Sequence, residues 1–109
     1  FAAGISKIEI ERAAQKISVN IFTGRVVSGD QFISSKDKKK WLVDTFDGTC
    51  TEMEGASIGH VATMNKVPYL VIRAISDKAD DSAEMDYPSF AAMAINNSVA
   101  LMTEFIKLC

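Results

Sequence analysis

Three short polar clusters hold most of the residue types in this sequence that could do chemistry. They are Ser-Gly-Asp-Gln-Phe at residues 28–32, Glu-Met-Glu-Gly at residues 52–55, and the pair Ser76 and Asp77. Together they offer carboxylates, serine hydroxyl groups and an aromatic ring. The carboxylates can transfer protons or accept hydrogen bonds from a ligand's hydroxyl groups, and the ring can stack on a planar base. No cluster is specific by itself, so the prediction depends on whether they meet in the fold.

Each of the three most suggestive residues has a functional and an ordinary interpretation. Asp77 follows an apolar run, where partial desolvation favours the protonated acid, but it could equally cap a turn or helix. Glu54 could bind a vicinal diol, although an acid in the first turn of a helix is also favoured by the helix dipole. Phe32 could stack on a base or simply belong to the core. The residue types alone leave both interpretations open.

The elements that must position these clusters alternate along the chain. Ser6 is a candidate N-cap before an apolar 3.6-residue period, and residues 69–75 form a nearly continuous apolar run that suits a central parallel strand. Residues 77–86 are predicted to be a mobile loop over the pocket, with Tyr87 at its hinge. Helices are predicted at residues 6–17, 54–65 and 88–108, with a further helix that is capped by Ser34 or Ser35 and runs to about residue 46. Strands are predicted at residues 21–27, 50–53 and 69–75.

This alternation predicts an α/β fold with a parallel sheet between helices. In such sheets ligands bind beyond the carboxyl ends of the strands, and each polar cluster follows a predicted strand. The sequence therefore predicts one ligand site at that edge. Three strands make a thin sheet for 109 residues, so the central strand is expected to need neighbours from outside this sequence.

Composition excludes several other classes of function. The chain is 48% hydrophobic and 24% charged, with a net charge of −2, which is typical of a soluble globular protein without a basic field for nucleic acid. No apolar run approaches the roughly 18 residues that span a bilayer. Cys50 and Cys109 have no metal-binding spacing and are predicted to be free thiols in a reducing cytoplasm. No metal or cofactor is expected.

In order and spacing, three motifs resemble the bacterial 5′-methylthioadenosine/S-adenosylhomocysteine nucleosidases of the purine nucleoside phosphorylase superfamily. The motifs are Val-Ser-Gly-Asp-Gln-Phe-Ile at 27–33, Glu-Met-Glu-Gly at 52–55 and Arg-Ala-Ile-Ser-Asp at 73–77. The resemblance covers the whole chain but only the second half of the family's domain. It implies a three-layer sandwich around a mixed, mostly parallel sheet, with residues 1–109 as the C-terminal half, and a homodimer.

For the purine, the resemblance implies a binding and a catalytic part. Phe32 would pack on the adenine ring and Ile33 would meet its edge through the backbone. Asp77 would protonate N7 of the departing adenine, steadied by Ser76. Since water is the family's nucleophile, the reaction would be hydrolysis of the N-glycosidic bond, as in methionine salvage.

For the sugar, the resemblance implies a second group of residues. Met53 would lie against the ribose, Glu54 would hold its hydroxyl groups, and Tyr87 would pack near the sugar and the 5′-thio group. Glu52 and Arg73 match positions that support the site. A fixed carboxylate near the sugar would stabilise the positive charge that develops there as the bond breaks.

Two alternatives stay open. A phosphorylase of the same superfamily would use phosphate instead of water; the hexameric bacterial type pairs its Ser-Asp acid with a downstream arginine, whereas only Lys78 and Lys107 follow Asp77 as basic residues. The second alternative is a nucleoside-binding module without catalytic activity. Adenine release with and without phosphate separates the hydrolase from the phosphorylase.

The family's water-activating glutamate has no match in this sequence, so the 109-residue polypeptide is predicted to be inactive by itself. The measurement is adenine release from 5′-methylthioadenosine by the purified polypeptide. Turnover above the uncatalysed background would contradict the prediction.

Overall fold

The structure is a computed structural model that describes residues 3–108, and within these residues it has four helices and two strands. The helices are α1 (Ala3–Lys16), α2 (Lys36–Phe46), α3 (Gly55–Met64) and α4 (Ala83–Leu108), and the strands are β1 (Val26–Ser28) and β2 (Cys50–Glu52). The predicted α/β class is confirmed. Among the described helices, none is long and apolar enough to cross a membrane.

The two strands form a parallel pair that sets the geometry of the site. Val26 pairs with Cys50 and Ser28 with Glu52, so both strands end at the same edge. The amide of Gly29 continues the pairing by donating to the Glu52 carbonyl at 3.2 Å. The first two polar clusters therefore leave the sheet side by side, as the sequence predicted.

A small apolar core lies between the first and last helices. Ala13 and Ala14 of α1 are 0% and 2% exposed and pack with Leu101 of α4. Ile72 and Phe105 pack against this cluster. The apolar period predicted for the first helix is thus confirmed, and the contact with Ile72 anchors the segment that leads to Asp77.

The predicted third strand is wrong for this chain. Residues 69–75 take part in no β-ladder with any described residue. A strand exists only where another backbone supplies hydrogen bonds, and apolar composition does not reveal whether a partner is present. Similarly, β1 is limited to Val26–Ser28 rather than 21–27 because its partner β2 has only three residues.

Two predicted helix starts are also wrong. α1 begins at Ala3, so Ser6 stands inside the helix and not at its N-cap. α4 begins at Ala83 rather than near Pro88. The backbone carbonyl of Ser82 accepts from the Asp86 amide, and acidic residues in the first turn favour a helix start. Tyr87 consequently lies within a helix and is not the hinge of a loop.

Two glycines flank β1 and differ in their surroundings. A β-carbon on Gly24 would come within 2.5 Å of the Thr49 β-carbon, whereas one on Gly29 would meet no atom within 4 Å. We expect Gly24→Ala to lower the free energy of unfolding by about 1–3 kcal/mol through overpacking. Gly29→Ala is the control and should stay within about 0.5 kcal/mol. Urea denaturation measures both, and equal stability of the two variants would contradict this packing.

Candidate active site

The strand ends open into a cleft of about 950 Å³, within the range of small-molecule sites. One wall carries the ends of β1 and β2, and others carry residues 72–79 and the first half of α4. Eight of the nine predicted site residues line it: Phe32, Glu52, Met53, Glu54, Arg73, Ser76, Asp77 and Tyr87. The structure therefore brings the three polar clusters together.

Glu52 is the most fully bonded acid of the cleft. Its side chain is 6% exposed, and its Oε2 accepts from the Glu54 amide at 2.9 Å and from the Gly55 amide at 2.7 Å. Burial raises the pKa of Glu52, but hydrogen bonds from Ser28, Arg73 and these two amides outweigh burial and lower the pKa to about 2. The carboxylate is therefore an anion at neutral pH at the start of α3.

The tight turn around Glu52 explains why the next helix begins with glycine. A β-carbon on Gly55 would come within 2.6 Å of Glu52 Oε1, and the amide needs this close approach for its hydrogen bond. Ser28 supports the turn from the neighbouring strand by accepting from the Ala56 amide at 3.0 Å. This role of Ser28 was not predicted from the sequence, although its position opposite Glu52 in a parallel pair could have indicated it.

Arg73 joins the two glutamates. Its Nη2 donates to Oε2 of both Glu52 and Glu54, and these bonds raise the pKa of the guanidinium. The Glu54 side chain is 64% exposed and that of Glu52 is 6% exposed. Glu54 thus has oxygen lone pairs that face solvent in the cleft, whereas those of Glu52 are used inside the protein.

Asp77 lies where residues 72–79 line the cleft, and two neighbours fix its carboxyl group. Oδ1 accepts from the Ala79 amide at 2.8 Å, and Oδ2 lies 3.0 Å from the Ser76 hydroxyl. Among the side chains that the structure describes, no lysine, arginine or histidine nitrogen lies within 4.0 Å of an Asp77 oxygen. Oδ2 is therefore placed for proton transfer without a cation beside it.

Two half-exposed aromatic rings form a further wall. Phe32 and Tyr87 meet edge to face, with ring centroids 6.2 Å apart. Ile33 does not line the cleft, because its side chain is 9% exposed and packs inward. Within residues 3–108 the Ile33 backbone forms no hydrogen bond.

Cys50 also lines the cleft, a position that was not predicted from the sequence. It is a free thiol, as predicted. Burial is the largest cause that raises the pKa of this thiol, and the negative charge of Glu52 raises the pKa further. Cys109, the other predicted free thiol, lies outside the described residues.

Comparison with known sequences shows which family this chain matches. Residues 6–107 match the family described as the phosphorylase superfamily. An aminodeoxyfutalosine nucleosidase of Helicobacter pylori strain J99 is 34% identical over 96 residues, covering 88% of this chain and 42% of that protein. A 5′-methylthioadenosine/S-adenosylhomocysteine nucleosidase of Treponema pallidum is 40% identical over 86 residues, covering 77% of this chain and 32% of that protein.

Solved structures agree with these matches. The 5′-methylthioadenosine/S-adenosylhomocysteine nucleosidase of Neisseria meningitidis, in complex with methylthio-immucillin-A, superimposes with a TM-score of 0.90 at 30% identity. The match covers 97% of this chain and 47% of that chain. The futalosine hydrolase of Helicobacter pylori gives a TM-score of 0.86 at 32% identity, over 94% of this chain and 44% of that one. The chain thus spans less than half the length of these relatives.

The unequal environments of the two glutamates predict unequal effects on stability. Because folding lowers the pKa of Glu52 from 4.5 to about 2, its contribution is complete above pH 4.5 and is lost as the pH falls toward 2. At neutral pH we expect Glu52→Gln to lower the free energy of unfolding by about 2 kcal/mol. The exposed Glu54→Gln should cost less than about 1 kcal/mol.

Urea denaturation of both variants and the unaltered protein, at neutral pH and at about pH 3, measures this difference. The gap between the unaltered protein and Glu52→Gln should narrow at the lower pH. A gap of the same size at both pH values would contradict the assigned role of the Glu52 carboxylate.

Proposed function

Because the chain belongs to the phosphorylase superfamily, we propose that it contributes the leaving-group side of a nucleosidase active site. The proposed reaction is hydrolysis of the N-glycosidic bond of 5′-methylthioadenosine and S-adenosylhomocysteine, with release of adenine and a 5-thioribose in methionine salvage. The observation that carries the proposal is the meeting of Asp77, Glu54 and the Phe32–Tyr87 pair in one cleft. Relatives named for this activity cover most of the chain.

We also propose that residues 1–109 form the C-terminal half of a single nucleosidase domain. The coverage of 42–47% of several relatives supports this proposal. Residues 69–75, which have the composition of a central strand but no ladder partner among the described residues, would then pair with strands from the other half. The protein is further proposed to be a homodimer, as the resemblance implies. A cytoplasmic location is also proposed and is compatible with the free thiol of Cys50.

Asp77 is proposed as the general acid. Breaking the bond between ribose and purine leaves negative charge on the base, and a proton at N7 neutralises it. Since the Ala79 amide donates to Oδ1, the transferable proton belongs on Oδ2, where the Ser76 hydroxyl can steady it. General acid catalysis is worth about 10²–10⁴-fold in rate.

Glu54 is proposed to hold the ribose hydroxyl groups. Arg73 uses one of its nitrogens on Glu54 Oε2 and so restrains a carboxylate that is otherwise open to the cleft. Glu52 is unsuitable for this task because its oxygens are committed to Gly55, Glu54 and Arg73. A carboxylate fixed beside the sugar favours its oxocarbenium-like transition state electrostatically.

The remaining predicted residues are proposed to orient the nucleoside. Phe32 offers a ring face for adenine, and the unbonded backbone of Ile33 offers a donor and an acceptor for its edge. Met53, 43% exposed in the cleft, is proposed to lie against the ribose. Tyr87, on the first half of α4 and in contact with Phe32, is proposed to cover the sugar and the 5′-thio group.

Aminodeoxyfutalosine is a second candidate substrate. Nucleosidases named for it in Helicobacter pylori and Campylobacter jejuni are 34–39% identical to this chain over 83–97 residues. The phosphorylase alternative is supported only by the match to a superfamily that is described by that activity. A purine-release assay with 5′-methylthioadenosine, S-adenosylhomocysteine and aminodeoxyfutalosine, each with and without phosphate, compares these candidates directly. A strict phosphate requirement would contradict hydrolysis.

Removing the proposed acid tests the mechanism. In the full-length nucleosidase that contains this sequence, Asp77→Asn should still bind nucleoside but lose at least about 3 kcal/mol of transition-state stabilisation. Asp44→Asn is the matched control, because Asp44 lies on the exposed face of α2 and, among the described side chains, forms its ion pair with Lys40 alone. Adenine release and equilibrium binding are measured for both. Full adenine release by Asp77→Asn would show that Asp77 is not the general acid, whereas nucleoside binding without adenine release by the unaltered protein would favour the binding module.

A further inference from the structure

The segment that begins with Asp77 is tied to a helix more than forty residues earlier in the sequence. We call residues 77–82 the acid loop. Asp81 Oδ1 accepts from the Lys36 amide, the first residue of α2, at 3.3 Å. One residue before, Asp80 Oδ2 lies 3.7 Å from Lys39 Nζ. Two adjacent carboxylates of the acid loop thus contact the first turn of α2.

The start of α2 has a physical need for such partners. The first amides of a helix lack acceptors within the helix and carry its positive dipole end. Ser35 supplies one acceptor locally, taking the Lys38 amide at 3.2 Å. The Lys36 amide, in contrast, is satisfied by Asp81 from the acid loop. The N-terminus of α2 is therefore completed by a residue close to the proposed acid.

The acid loop is also braced internally, so a contact at one end can influence the other. Asp80 Oδ1 accepts from the Ser82 amide at 3.0 Å and from its hydroxyl at 2.7 Å. Ala79 adopts a left-handed conformation with φ of 54° and donates its amide to Asp77. Neighbouring residues on both sides of Ala79 are thus held by short-range hydrogen bonds.

The segment just before α2 is the one that carries Phe32 and Ile33. A shift of α2 relative to the acid loop would therefore change the position of the base-contacting segment relative to Asp77. Misplacement of reacting groups by about 1 Å can cost about 10²-fold in rate. We propose that Asp81, assisted by Asp80, is a positioning residue that sets the distance between the proposed base-binding segment and the proposed acid. This inference rests on the proposed function.

Two substitutions at Asp81 separate positioning from a loss of charge. Asp81→Ala removes the acceptor for the Lys36 amide, whereas Asp81→Asn keeps an oxygen in the same place. In the full-length nucleosidase we expect Asp81→Ala to lower kcat about tenfold or more, with a smaller change in KM, because purine stacking does not need Asp77. Asp81→Asn should restore kcat to within about threefold of the unaltered enzyme. Asp44→Ala is the control and should leave both constants unchanged.

A second readout does not depend on catalysis. Backbone amide hydrogen exchange at Lys36 should be faster in Asp81→Ala by at least about threefold, the effect of one lost hydrogen bond. Exchange at Ala79 should also be faster, because the amide is bonded to Asp77 in the same loop. Asp81→Asn and Asp44→Ala should exchange at the unaltered rates at both positions.

The two readouts distinguish failure of this inference from failure of the proposed function. If no substrate is turned over by the unaltered enzyme, the proposed function is wrong, and faster exchange at Ala79 in Asp81→Ala still supports coupling between α2 and the acid loop. If Ala79 exchanges at the unaltered rate, the positioning role is overturned. Unchanged kcat in an active Asp81→Ala enzyme overturns it as well.

Discussion

The buried carboxylate of Glu52 is the contact on which the geometry of the cleft depends. It ends β2, accepts the amides at the start of α3 and binds Arg73, so three separate segments meet at two oxygen atoms. An anion at this point is stabilised by the donors around it and by the helix dipole. Arg73, once held by Glu52, also restrains Glu54 at the entrance of the cleft.

This arrangement separates structural from chemical roles among residues of the same type. Glu52 and Glu54 are two positions apart, yet only Glu54 keeps its carboxylate exposed to a ligand. Asp77 and Asp81 belong to one loop, but the first faces the cleft while the second binds the start of α2. Arg73 is occupied by the two glutamates, and the partners that the structure describes for the proposed acid Asp77 are neutral hydrogen-bond donors.

The sequence was sufficient to predict that the first two clusters meet, because the ends of parallel strands lie at one edge of a sheet whatever their neighbours. The third cluster lines the same cleft although residues 69–75 form no ladder with any described residue. The sequence was insufficient where structure depends on distant partners. Residues 69–75 have strand composition but no ladder partner in the described chain, and the attachment of Asp81 to Lys36 joins residues 45 positions apart. The start of α4 was predicted too late for a local reason. Pro88 is typical of a first helical turn, and it was preferred to Ser82 and the acidic residues Glu84 and Asp86, which also favour a helix start.

The central claim is that Asp77 protonates a departing purine at N7. A crystal structure of the proposed full-length nucleosidase, with adenine bound, tests it most directly. The account predicts Oδ2 of Asp77 within about 2.6–3.2 Å of N7, with the ring against Phe32. Adenine bound in the cleft with N7 turned toward solvent, or toward any other side chain, would contradict it.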